Sequence, residues 1–225
     1  KELNFQEKLD YENEFFEYLH QFDFDKRILL GSYWYDENSI LGADFSSVIA
    51  KGYQICIVPH QLGELDIIKT RESILEHNSS VIIYELNNEL SKQEIDVLFI
   101  NMLEEPGILI INLKGILCEL YSSFGHSYVA GGYRSSVHSL LEPFLAGSMV
   151  YCGPKIHRST EYDLIVQSNS DRIKVVENPN NLFLHILNTN LSSLTSIHSF
   201  ESHYKGHFSP ILNWLAIKTS WESNA

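Results

Sequence analysis

Positive charge is scarce in this sequence: 16 Lys and Arg stand against 29 Asp and Glu, a net charge of −13 in 225 residues. Such a chain lacks the field that neutralises phosphate backbones, which argues against nucleic acid as a partner and against polybasic docking on anionic lipid. Long apolar runs are missing too; none approaches the ~18–20 residues needed to cross a bilayer. The opening stretch KELNFQEKLDYENEFFEYLH is acidic and amphipathic, unlike a signal peptide. It begins at Lys1 rather than Met, from which we expect a processed or truncated chain. Cysteine is sparse: Cys56, Cys118 and Cys152 are odd in number, far apart and set among apolar residues. That pattern predicts three buried thiols in a reducing, cytoplasmic compartment rather than a disulfide frame or a zinc site. Neither GxGxxG nor GxxxxGK[ST] occurs, so the usual dinucleotide fingerprint and the P-loop are both absent. Internal repeats, low-complexity tracts and Gly/Ser linkers are absent as well.

What is present is ordinary globular material, 44% hydrophobic and 20% charged. Short apolar blocks recur at Arg27–Ser32, Tyr53–Pro59, Ser80–Leu86, Gly107–Leu113, His126–Gly132, Ser148–Pro154 and Asp171–Glu177. Several are nearly continuous in Ile and Val, as strands covered on both faces of a parallel sheet are. Helical spacing fills the gaps. Ser91 and Glu94 have capping-box spacing, Ile95, Leu98, Phe99 and Met102 share one helix face, and Pro106-Gly107 ends it. The alternation predicts right-handed crossovers and an α/β, Rossmann-like three-layer α/β/α parallel sheet. A helix over roughly Leu3–Phe22 precedes the first strand, and another over about Pro210–Trp221 closes the chain. The acidic residues of the first helix, Glu2, Glu7, Asp10, Glu12, Glu14 and Glu17, read as a solvated face.

Ligands of open parallel sheets collect at the carboxyl ends of strands, so the loops there are the candidates. The loop after the fifth block, Gly131 to Pro143, stands out. Paired glycines let backbone N–H groups approach a ligand, and the helix start beyond can hold an anion. Glu142, early in that helix, suits the vicinal hydroxyls of a ribose; it equally suits a first helical turn, where the macrodipole favours acid. Tyr33, Trp34 and Tyr35 suit stacking on a base or sugar, or packing beneath a further domain. Ser135 and Ser136 with His138 lack the G-x-S-x-G elbow of a nucleophile. His198, His203 and His207 cluster near the end, but Gly206 interrupts them, and exposed loop histidines are the simpler reading. No metal and no cofactor is expected.

The run from Arg27 to Ile165 resembles the carboxyl-terminal half of the 3-deoxy-D-manno-octulosonic acid (Kdo) transferases, which are GT-B glycosyltransferases. The likeness rests on Gly31-Ser32-Tyr33-Trp34, Val58-Pro59-His60, Asn112-Leu113-Lys114-Gly115-Ile116-Leu117, Val129-Ala130-Gly131-Gly132-Tyr133, Val137 to Pro143, and Gly153-Pro154-Lys155. These stand where the family has G-S-T-H, V-P-R, a D-T-x-G-E-L-like turn, V-G-G-S, G-G-H-N-P-L-E-P and G-P-H. The resemblance implies a donor site for CMP-Kdo lined by Pro59, His60, Lys114, Gly115, Ile116, Ser139, Leu140, Leu141 and Glu142. The sequence departs from the family at His60 for arginine, Ile116 for glutamate, Ser139 for asparagine, and Trp34 and Lys155 for histidines. A planar, permanent phosphate donor is thereby replaced by a weaker, pH-dependent one at position 60. Arg134 or Lys155 would supply the missing charge, unless both are ordinary surface cations.

The implied organisation is a leading interdomain segment (1–25), a donor-binding domain (26–205) and a closing helix (206–225). The family's general base belongs to an amino-terminal acceptor domain, for which 225 residues leave no room. The function implied is transfer of Kdo from CMP-Kdo to a lipid A precursor in lipopolysaccharide biosynthesis. From the chain as given we expect weak CMP binding and no turnover, and no catalytic residue is assigned. The full-length protein would meet the cytoplasmic face of the inner membrane peripherally. Two alternatives stay open: a degenerate, non-catalytic homologue kept as a binding or scaffold module, and a GT-B domain for another nucleotide sugar.

Overall fold

A computed structural model describes residues 14–41, 45–157, 159–167 and 171–194. In chain order it contains α1 (from 14 to 19), β1 (Arg27–Tyr33), α2 (Phe45–Ala50), β2 (Gln54–Pro59), α3 (Glu64–His77), β3 (Ile83–Asn87), α4 (Lys92–Glu104) and β4 (Ile108–Asn112). There follow α5 (Leu117–Leu120), β5 (His126–Val129), α6 (Leu141–Leu145), β6 (Met149–Cys152), α7 (Thr160–Gln167), β7 (Ile173–Val175) and α8 (Leu182–Leu187). Each apolar block of the sequence yields one strand. All seven are parallel, in the order β3-β4-β2-β1-β5-β6-β7.

The period of two along each strand divides the core. Ile28 and Leu30 face one layer, with Ile67 and Ile74 of α3, Phe45 and Val48 of α2, and Leu182, Phe183 and Ile186 of α8. Leu29 faces the other, with Phe15, Tyr18 and Leu19 of α1, Ile95, Phe99 and Met102 of α4, and Leu120 and Tyr121. Further along that second face, Phe144 of α6 and Ile165 of α7 pack on Val129, Val150 and Cys152. The helices after β1 and β2 cover one face and those after β3 to β6 the other, the arrangement one crossover hand produces when chain direction across the sheet reverses. The reversal puts β1 beside β5, and their ends open a crevice.

The capping box is present. Ser91 N–H donates to Glu94 Oε2 at 2.8 Å and Glu94 N–H to Ser91 Oγ at 3.4 Å, so α4 starts where the spacing predicts. Two expectations are corrected. Cys118 is exposed, because α5 is a single short turn at the rim, while Cys56 and Cys152 are buried. Glu14 is not simply solvated: its carboxylate pairs with Lys92 Nζ at 2.9 Å, tying α1 to the start of α4. No helix among the described residues is long and apolar enough to cross a membrane. The expected closing helix and the three terminal histidines lie outside the described residues, as does the first part of the leading helix.

Candidate functional site

β1 does not end straight. Its register with β2 shifts between Leu30 and Tyr33, and Ser32 takes φ +51°, a left-handed conformation that costs an L-residue roughly 1 kcal/mol. The chain then enters 3-10 turns over Tyr35–Leu41 that kink at Glu37. Tyr33 goes into the core, Trp34 stays at the rim, and the Glu37 side chain turns under the β5 loop. That carboxylate is 2% exposed. It accepts the Gly131 N–H at 3.0 Å and the Tyr128 hydroxyl at 2.9 Å, and the Tyr133 backbone also donates to it. Burial pushes its pKa up and these three donors pull it back.

The far end of the same loop is held alike. Glu161, in the first turn of α7, accepts the N–H groups of Leu140 and Leu141 at 2.6 and 2.9 Å and the Ser139 hydroxyl at 3.3 Å. The expectation that the paired glycines and this helix start present free backbone donors is therefore corrected. At Gly131, Leu140 and Leu141 the chain's own carboxylates take that place. Gly131 itself has φ +94°, and an added Cβ would strike the Ser136 carbonyl; Gly132 backs onto Gly153, with 2.7 Å from a would-be Cβ to its Cα. Only glycine fits either position.

Between the two clamps, side chains stack. Trp34 and His60 have ring centroids 4.1 Å apart, His60 and His138 4.5 Å, and Trp34 Nε1 donates to His138 Nε2 at 3.4 Å. The Arg134 guanidinium lies 4.1 Å over the Trp34 ring and Asp36 binds it at 2.5–2.6 Å. Partial desolvation in the stack lowers both histidine pKa values, helped at His60 by Arg134 and at His138 by His60. Lys155 Nζ donates to the Tyr133 and Arg134 carbonyls, closing the loop against β6.

The residues nominated from sequence fall into two groups. Glu142 is exposed in the first turn of α6, close enough to Cys118 and Tyr121 for its charge to raise their pKa values. Lys114 and Gly115 are exposed at the end of β4, Gly115 with φ +74°. His60 is exposed at the end of β2, its N–H bonded to the Tyr33 carbonyl at 2.8 Å. All four follow the carboxyl ends of parallel strands, β2, β4 and β5, on the side of the sheet where the β1–β5 crevice opens. Pro59, Ile116 and Leu140 are buried, Ile116 at 2% and Leu140 at 0% exposure, so they offer a ligand little or no surface. Leu141 and Ser139 are half-buried, the latter turned toward Glu161. His138 faces Trp34 and His60, and Ser136 Oγ bonds the Val137 carbonyl, so no serine–histidine pair forms. Among the described residues no three His, Cys, Asp or Glu side chains converge on a metal position.

Sequence reasoning missed Glu37, Glu161 and Asp36. The faint signal for Glu37 was an acid between Tyr33 and the core residues Ile40 and Leu41. Glu161 looked like any first-turn acid.

In fold, the chain is similar to a CMP-Kdo binding domain. The matched structure is the C-terminal CMP-Kdo binding domain of WaaA from Acinetobacter baumannii, with TM-score 0.61 and 14% identity over 80% of this chain and 88% of that one. No family model and no curated protein matches the sequence. The likeness to WaaA is one of architecture: seven parallel strands between helical layers, as the Kdo transferase resemblance implied.

Proposed function

We propose that this chain is the donor-binding half of a glycosyltransferase that takes Kdo from CMP-Kdo and places it on a lipid A precursor. The carrying observation is the fold shared with the WaaA CMP-Kdo binding domain; the exposed Glu142 carboxylate in the first turn of α6, after β5, supports the reading. In this reading the Glu142 carboxylate accepts both ribose hydroxyls, and the backbone at Lys114–Ile116 and Ser139–Leu141 with Pro59 and His60 walls the nucleotide. An acceptor hydroxyl attacks the anomeric carbon of Kdo. The bond from that carbon to the phosphate oxygen breaks, CMP leaves with the electron pair, and the hydroxyl proton passes to a general base on another domain. This half stabilises the departing nucleotide and turns nothing over alone. The acceptor is a membrane lipid, so the full-length protein works at the cytoplasmic membrane face.

A second reading, a non-catalytic binding module, is favoured by Glu37 and Glu161, which fill backbone donors a ligand would use. A thermal-shift panel of CMP, UMP, UDP and GDP separates the readings, because a ligand that binds only the native state raises the melting point. At ten times its dissociation constant CMP should add about 1.4 kcal/mol, or roughly 3–5 °C. A shift with CMP alone supports the donor role, a shift with another nucleotide reassigns the sugar donor, and none at millimolar ligand favours the scaffold.

A further inference from the structure

The donor in that reading carries a phosphate, and the loop facing it has few backbone donors to spare. The N–H groups of Gly131 and Tyr133 go to Glu37, and those of Arg134 and Ser135 to the Gly131 carbonyl. The His138 N–H bonds the Ala130 carbonyl, and those of Leu140 and Leu141 bond Glu161. With seven of the eleven N–H groups from Gly131 to Leu141 committed, a side-chain cation is the stronger partner for an anion here. Lys155 Nζ is already committed to two carbonyls of the loop, and Lys114 belongs to the β4 loop, outside the aromatic stack. The imidazoles of His60 and His138 are stacked face to face and carry no permanent charge.

We propose that Arg134 is the side chain that binds the nucleotide phosphate in this site, held over the Trp34 ring and oriented by Asp36. This rests on the donor-binding reading above and assigns the anion ligand within it. Both Asp36 oxygens contact the same nitrogen, Nη1, at 2.6 and 2.5 Å. Among the described residues Nε and Nη2 have no partner, which leaves two parallel N–H donors, the geometry a phosphate takes up in a bidentate pair. Contact with the Trp34 ring on one side and Asp36 at Nη1 restrains the side chain in advance, so less rotamer freedom remains to be lost on binding. Trp34 also stacks on His60, the position where the resemblance places an arginine, so the positive charge sits one ring away from the expected position. The backbone under Arg134 is pinned as well, its N–H on the Gly131 carbonyl at 3.0 Å and its carbonyl on Lys155.

The test compares cytidine with CMP, ligands that differ only in the phosphate, by calorimetry on the wild-type chain and on Arg134→Ala. The wild type should bind CMP about ten-fold or more tighter than cytidine, as expected for a charge-assisted bidentate contact. Arg134→Ala should bring the two within about two-fold while leaving cytidine affinity unchanged. Arg134→Gln repeats the comparison if the alanine chain melts early. A CMP preference that survives both substitutions, or a wild type that binds cytidine as tightly as CMP, overturns the assignment while the nucleotide reading stands. A wild type that binds neither ligand overturns both.

Discussion

Replacing Glu37 by alanine is expected to destabilise the chain by about 3–5 kcal/mol. The truncation removes one carboxylate but strands two hydrogen-bonded donors, the Tyr128 hydroxyl and the Gly131 N–H, and leaves the Tyr133 backbone without its nearby acceptor. Each buried donor left without an acceptor costs about 1–3 kcal/mol, and a carboxylate 2% exposed has no water nearby to replace it. Glu37→Gln keeps the shape but sets an NH2 group against donors, so it should fall between, near 2 kcal/mol. Denaturant unfolding measures both. In the glutamine variant, hydrogen exchange at Gly131 and Tyr133 should accelerate far more than in the strands. An alanine variant within 1 kcal/mol of wild type would show that water, not protein, satisfies the loop.

Acid should weaken the fold through His126, which is 1% exposed in β5. Its Nε2–H donates to the Asp25 carbonyl at 3.0 Å, and Nδ1 lies 3.1 Å from the Tyr151 hydroxyl, which donates to Thr189 Oγ1 at 3.0 Å. Burial lowers its pKa from 6.5 to about 4, partly opposed by the Asp25 carbonyl and carboxylate. The sign follows from which state binds the proton. Between pH 6.5 and 4 the unfolded chain takes it up and the folded chain does not, so stability falls as pH falls. All of the contribution is present above the unfolded value and all is lost below about pH 4. A shift of 2.5 pH units corresponds to about 3 kcal/mol, a large share of a typical domain's stability. The His126 imidazole resonances in NMR should titrate near pH 4, and a midpoint near 6.5 would contradict the buried neutral ring. His126→Gln should flatten the same part of the stability–pH curve.

The sheet was legible because parallel strands buried on both faces write themselves as near-continuous apolar runs, as β1, β2 and β4 do with Ile28 to Leu30, Ile55 to Val58 and Ile108 to Ile111. Ser91 and Glu94 marked the start of α4 because a capping box is a local interaction between residues three apart. The strand order and the β1–β5 crevice follow from crossover rules once the elements are known. What stayed hidden was long-range and polar. Glu37 meets Gly131 across 94 residues and Glu161 meets Leu140 across 21, and nothing in a local pattern says which acid turns inward. Arg134 and Lys155 were equal candidates for the missing charge in the sequence, and only the contacts of Arg134 with Trp34 and Asp36, about a hundred positions earlier, separate them. Ile116 and Leu140 were nominated by motif position, and their side chains proved to be core.

The central claim is that Glu142, at the exposed start of α6, holds the ribose of a cytidine nucleotide. Calorimetric titration of CMP and 2′-deoxy-CMP into wild type and Glu142→Ala tests it most directly. Two hydrogen bonds to a carboxylate are worth about 1.5–3 kcal/mol or more together, so the variant should bind CMP at least about ten-fold more weakly. It should also lose any preference for ribose over deoxyribose. Equal CMP affinity in wild type and variant, or no heat from wild type at millimolar CMP, would contradict the account.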